Sequence, residues 1–247
     1  DVLALKEADC SVAMASGSDV AAQISDLVLM NSDFSSMPSV VAEGRRVINN
    51  IERAASLYLV KNIFSLILAV ISITAAFSYP LTPSQLTLMS LLAIGIPSLI
   101  LALEPNENLV QGKFLRNAIL RALPAAFTDL FIIIFVLLFQ QAFQINNNEI
   151  STITALLVTI VGFFMLWKVA KPVNRLHVGM MAGLIAALVF IVLFLPGLFS
   201  LSPLSFGGYL ILILFTLLIP SVIWLLNKAL EGLLLLLQKA EGGKRAA

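Results

Sequence analysis

Six stretches of mostly apolar residues, at 56–77, 86–104, 118–142, 151–171, 178–196 and 207–226, restrict this chain more than any other feature. A bilayer core about 30 Å thick is crossed by roughly 20 apolar residues rising ~1.5 Å each, and each stretch meets that length. Charge content points the same way. Only 12% of the residues are charged, half the roughly 25% of a soluble domain, and the mean hydropathy is +1.00. The expected fold is mostly α: a polytopic bundle of six membrane-spanning helices, with the lipid bilayer as its solvent.

The connections between the stretches are short and polar. Ser78 to Pro83 holds two prolines, Glu104 to Asn108 is polar and broken by Pro105, and Gln144 to Glu149 is a polar loop. Lys and Arg are absent from the gaps near 78–85, 143–150 and 197–206. Lys113, Arg116, Lys168, Lys171, Arg175, Lys228, Lys239, Lys244 and Arg245 all flank the other connections or the end of the chain. Cytoplasmic loops are the basic ones, so both ends are expected on the cytoplasmic side of the cell membrane. A net charge of +1 with no basic face argues against nucleic acid as a partner. One cysteine, Cys10, allows no disulfide within the chain and no metal site by itself. The chain opens on Asp1 without a basic segment and apolar core of the kind that marks a signal peptide, and reads as a fragment.

Residues 1–53 are of another kind. Ser11 to Met14 and Asp26 to Met30 are short apolar runs bounded by turn residues, and Ser18 or Asp19 is placed to cap a helix between them. The expected order is strand, helix, strand, as at the edge of an α/β sheet. So short a piece cannot bury a core alone. From Val40 to Asn62 the spacing predicts one continuous helix running into the first apolar stretch.

The residues of this region resemble a known family. Asp1-Val2-Leu3-Ala4-Leu5-Lys6-Glu7-Ala8-Asp9 is similar to the end of the GDGxNDxxALxxAD signature of P-type ATPases, the ion pumps phosphorylated on an aspartate by ATP. Val12 to Ala21, Asp26 to Leu29, Phe34-Ser35-Ser36, Glu43-Gly44-Arg45 and Asn49-Asn50-Ile51 continue the likeness in register. Farther on, it rests on Gly95-Ile96-Pro97 and Pro105. The bacterial look of residues 11–30 belongs with it.

The resemblance implies a division into four parts. Residues 1–40 would end a HAD-like phosphorylation domain, 41–55 form a cytoplasmic stalk helix, 56–226 supply transmembrane helices five to ten, and 227–247 form a cytoplasmic tail at the interface. It implies ATP and Mg²⁺ as cofactors, held mainly by other parts of the polypeptide. Asp1 would match the second aspartate of the signature, a catalytic residue beside the Mg²⁺ ligand shell. The phosphorylated aspartate, the actuator and nucleotide domains and helices one to four would be partners within the same polypeptide, and without them this segment should not hydrolyse ATP.

The search for a transport site turns on polar groups inside the apolar stretches, where they are costly. In the family's calcium pumps an acid stands just before the Gly-x-Pro glycine. Here that place holds Ile94, and the stretch beginning at Ser56 contains no acid. Oxygens must then come from backbone, amides and hydroxyls. Pro97 lacks an N–H, which frees the carbonyl of Ala93 unless Ser90 or Ser98 serves it. Asn62 and Ser65 offer further oxygens. Lys61 either snorkels to the interface or supplies a built-in ammonium. Asp129, beside Thr128, is the one acid deep in a span, for proton handling, charge compensation or a bond between helices. Glu104 is expected in a cytoplasmic loop and His177 in solvent. The leading expectation is ATP-driven transport of a small inorganic cation, Ca²⁺ or Mg²⁺ by family frequency. A phospholipid-moving relative and a non-catalytic channel module are the alternatives.

Overall fold

The computed structural model describes the backbone of residues 2–245 and the side chains of residues 2–236. Asp1 therefore lies outside the described residues, and so does its expected role. The chain divides into two units, residues 1–49 with 105–110, and residues 50–104 with 111–247.

In the first unit, helix α1 (Val2–Glu7) precedes strand β1 (Val12–Met14), helix α2 (Asp19–Ile24) and strand β2 (Leu27–Leu29). The strands pair in parallel, with Val12 opposite Leu27 and Met14 opposite Leu29. Parallel pairing needs a crossover, which α2 supplies. Ser18 caps α2, its hydroxyl accepting from the Ala21 N–H at 3.2 Å. The Asp26 carboxylate ties the strand starts together, accepting from the Ser11 N–H at 2.8 Å and the Ser11 hydroxyl at 2.9 Å. Leu3, Met30 and Phe34 are largely exposed, as befits two strands that cannot close a core by themselves. In the same unit the Asn49 amide donates to the carbonyls of Asn106 and Asn108.

Helix α3 spans Met37–Thr74, beginning three residues before the periodicity predicts. Pro38 falls in its first turn, where a missing N–H costs nothing. The remaining long helices are α4 (Pro83–Met89), a π-helical turn (Ser90–Gly95) and α5 (Ile96–Ala102), then α6 (Phe114–Phe143), α7 (Asn147–Val169), α8 (Arg175–Phe194) and α9 (Phe206–Arg245). With α4 to α5 counted as one crossing, six helices among the described residues are long and apolar enough to span a membrane. The chain is a multi-pass membrane helical bundle. Of the two prolines in the loop expected after Ser78, Pro80 stays in the connection and Pro83 starts a helix. Thr82 and Gln85 form a capping box with Pro83 at the first helical position. At the other end α9 continues past residue 226 through Gly232 without interruption.

Within the second unit α7 is the central helix, buried at every position from Thr152 to Thr159. The three connections without Lys or Arg meet at one end. Gln85 donates to the Ser200 carbonyl and accepts from the Ser151 hydroxyl, while Ser205 donates to Glu149. A polar cavity of about 260 Å³, lined in part by Thr82, Gln85, Asn148, Ser151 and Ser202, lies there. Arg53, Glu104, Arg121, Lys171 and His177 gather at the opposite end.

Candidate functional site

The second crossing carries the backbone irregularity that Pro97 predicts, but in a wider form than a simple kink. The turn at Ser90–Gly95 is π-helical, and the Ile96 N–H reaches back five residues to the Leu91 carbonyl. α-Helical register resumes at Ile96, which commits the Leu99 N–H to Gly95. The carbonyls of Leu92, Ala93 and Ile94 are left with one candidate backbone donor, the Ser98 N–H, because Pro97 has none. The expected loss at Ala93 alone thus becomes a shortage shared by three adjacent carbonyls. π-Turns of this kind are frequent at functional sites.

Neither nearby hydroxyl relieves the shortage. Ser90 Oγ donates to the Leu86 carbonyl at 2.7 Å, and the buried Ser98 Oγ has no hydrogen-bond partner among the described residues. Ser90 also accepts from Lys61 Nζ at 2.7 Å. Lys61 is half-buried and is engaged with the start of the π-turn rather than extended to the interface. Lys61, Ser90, Ala93 and Pro97 accordingly fall in one neighbourhood: an ammonium at the head of a turn short of N–H donors.

The other candidates lie apart. Ser65 shares a hydrogen bond with the Tyr79 hydroxyl at 3.0 Å. Asn62 is exposed and makes no side-chain hydrogen bond among the described residues, on an α3 stripe with Tyr58, Leu66 and Ile73. Asp129 belongs to α6 and is fully buried, and neither carboxyl oxygen has a partner among the described residues. Among the described residues, the bond between helices weighed for Asp129 is absent. Its neighbour Thr128 is already used, donating to the Pro124 carbonyl at 2.7 Å.

His177 departs furthest from expectation, whereas Glu104 lies in the connection after α5 as expected. His177 is 0% exposed rather than solvated. Asn174 caps α8 and places His177 at the third position of a capping box, which turns the ring inward onto the Glu104 carboxylate at 3.1 Å. Glu104 is correspondingly no free loop acid, since Arg53 approaches it at 2.7 Å. Gly162 is a further residue the sequence reading missed. A Cβ built there would lie 2.5 Å from the Ala93 Cβ, so only glycine lets α7 approach the π-turn this closely. Its signal in the sequence was a lone glycine inside the apolar run of α7.

No protein-family model matches the chain. Among curated proteins, the probable cation-transporting ATPase exp7 of Streptococcus pneumoniae is 40% identical over 180 residues, covering 70% of this chain and 23% of the relative. By sequence, this chain belongs to the cation-transporting P-type ATPases. The calcium-transporting ATPase CtpE of Mycolicibacterium smegmatis is 33% identical over 220 residues, 82% of this chain and 28% of the relative. The P-type sodium-transporting ATPase4 of Toxoplasma gondii is 37% identical over a shorter 109 residues. The chain spans about a quarter of the length of the first two ATPases. No group of three or more His, Cys, Asp or Glu side chains that could hold a metal ion exists among the described residues. Those residues therefore do not fit the catalytic Mg²⁺ of a P-type ATPase, and the polar groups gathered at the π-turn are neutral oxygens and one ammonium.

Proposed function

We propose that this chain forms transmembrane helices five to ten, with the adjoining edge of the phosphorylation domain, of a P-type pump that moves a small inorganic cation across the cell membrane at the expense of ATP. The pump would pass through a phospho-aspartate formed on another part of the polypeptide. That other part would supply the nucleotide and actuator domains, helices one to four and most contacts to ATP and Mg²⁺, with Asp1 beside the metal. β1, α2 and β2 would add to a larger sheet. The Lys- and Arg-rich end would face the cytoplasm together with both termini. Ca²⁺ is the favoured cargo, since several relatives are named calcium-transporting, with Mg²⁺ the other.

The observation that carries this reading is the π-turn, where carbonyls of Leu92, Ala93 and Ile94 outnumber their donors and Ser98 Oγ is buried without a partner. Unsatisfied backbone oxygens at membrane depth are tolerated where they line a cavity or meet a cation, and a hard cation such as Ca²⁺ takes oxygen ligands. Lys61 at Ser90 would act as a resident counter-charge, limiting how much positive charge the site accepts. Asn62 and Ser65, which stand apart from the turn on α3, would supply oxygens farther along the path, Asn62 toward helices outside this chain. Asp129 would handle a proton or balance charge in α6.

Replacing Pro97 by Ala in the full-length pump tests the assignment. The alanine N–H satisfies one of the competing carbonyls, and folding survives because alanine is a good helix former in the first turn of α5. The cation concentration for half-maximal ATPase stimulation should rise about tenfold, the equivalent of ~1.4 kcal/mol for one ligand. An unchanged activation curve in a folded variant would place the site elsewhere.

A further inference from the structure

Glu104, just past the end of α5, is gripped from three sides. Arg53 Nη1 of α3 lies 2.7 Å from its Oε2, and the His177 Nε2 of α8 lies 3.1 Å from the same oxygen. The Asn174 side-chain amide, at the cap of α8, donates to Oε1 at 3.0 Å. The histidine tautomer is fixed by its other nitrogen. Nδ1 accepts from the Asn174 backbone N–H at 3.2 Å, so Nε2 carries the hydrogen and donates to Glu104. Arg53 extends the knot by donating from Nη2 to the Lys171 carbonyl at 3.3 Å. Asn50, one turn earlier on α3, donates to the backbone carbonyls of Ala102 and Glu104. The side chains of Arg53 and Glu104 are 6% and 15% exposed.

The residue before Arg53 makes the opposite contact in the opposite sense. Glu52 receives Arg121 Nη2 of α6 at 2.9 Å and the Asn117 amide at 3.2 Å. Consecutive helical residues point about 100° apart, so α3 is held on two sides at one level, by an acid on one face and a base on the other. Buried ion pairs are poor devices for stability, because desolvation consumes most of their attraction. What they fix well is geometry. A helix held this way can neither slide nor turn at residues 52–53 without carrying its neighbours along.

We propose that Glu104 is a positioning residue that joins the middle of α3, the end of α5 and the start of α8 into one moving part, so that occupancy of the π-turn, which ends nine residues before it along the same crossing, sets the position of α3. This rests on the pump reading above. The test uses the full-length pump in lipid vesicles with Ca²⁺ as the probe, comparing the unmodified protein with the double variant Arg53→Gln/Glu104→Gln. Removing both charges avoids stranding either one. Equilibrium Ca²⁺ binding without ATP should stay within twofold, whereas Ca²⁺-stimulated ATP hydrolysis should fall at least tenfold. His177→Gln, which keeps a donor toward Glu104 on an unbranched side chain, should retain more of the stimulation than His177→Ala. Stimulation within twofold of the unmodified pump overturns the proposal. So does a parallel loss of binding, stimulation and thermal stability, which would mark the cluster as packing alone. An unmodified pump whose hydrolysis ignores Ca²⁺ overturns the calcium reading and this inference with it.

Discussion

At the scale of single residues, the positions that matter most are those where a side chain is missing or shared. Gly162 is the sharpest case, because a methyl group there would collide with Ala93 Cβ at 2.5 Å. Gly162→Ala should push α7 from the π-turn and destabilise the bundle by about 1–3 kcal/mol, the usual cost of overpacking. The check is the thermal unfolding of the purified variant in detergent; a midpoint equal to that of the unmodified protein would show that the helices yield freely there. Lys61, Ser90, Ala93 and Pro97 could be singled out from the sequence because charges, hydroxyls and prolines are conspicuous in an apolar run. Gly162 could not be weighed in the same way, since its meaning depends on which residue of another helix faces it. His177 misled for a related reason. A lone histidine in a basic connection reads as solvated until its place in a capping box turns it inward onto Glu104.

At the scale of elements, the same contrast separates local signals from pairwise ones. The six apolar helices and the strand–helix–strand order follow from periodicity and capping, which act within a few residues. The π-turn was only half legible, because Pro97 announces a lost hydrogen bond while the extra residue in the turn is set by packing against α7. In the strand–helix–strand element, Asp26 is the group that answers to pH. Hydrogen bonds from the Ser11 N–H first, and then from the Ser11 hydroxyl, hold its carboxyl below the ordinary 3.8. Because its value is lowered in the folded state, the stabilisation is fully present above 3.8 and is lost as the pH falls through the lower folded value. The protection of the Ser11 amide against hydrogen exchange, corrected for the intrinsic rate at each pH, should therefore fall in strongly acid solution. In Asp26→Asn it should be low throughout and independent of pH in that range. Equal protection in both proteins would remove the carboxylate from the account of how β1 and β2 are joined.

At the scale of the whole molecule, two features combine: a span that leaves backbone oxygens short of donors, and a long helix fixed near its middle by two oppositely oriented ion pairs. The first suits a cation in transit and the second a helix that carries movement, as the proposed pump would use them. The most direct test is ATP-driven uptake of Ca²⁺ by the full-length protein reconstituted into sealed vesicles. Saturable accumulation that requires ATP, and whose half-saturation shifts about tenfold in Pro97→Ala, is the predicted result. Vesicles that hydrolyse ATP yet accumulate no inorganic cation would contradict it.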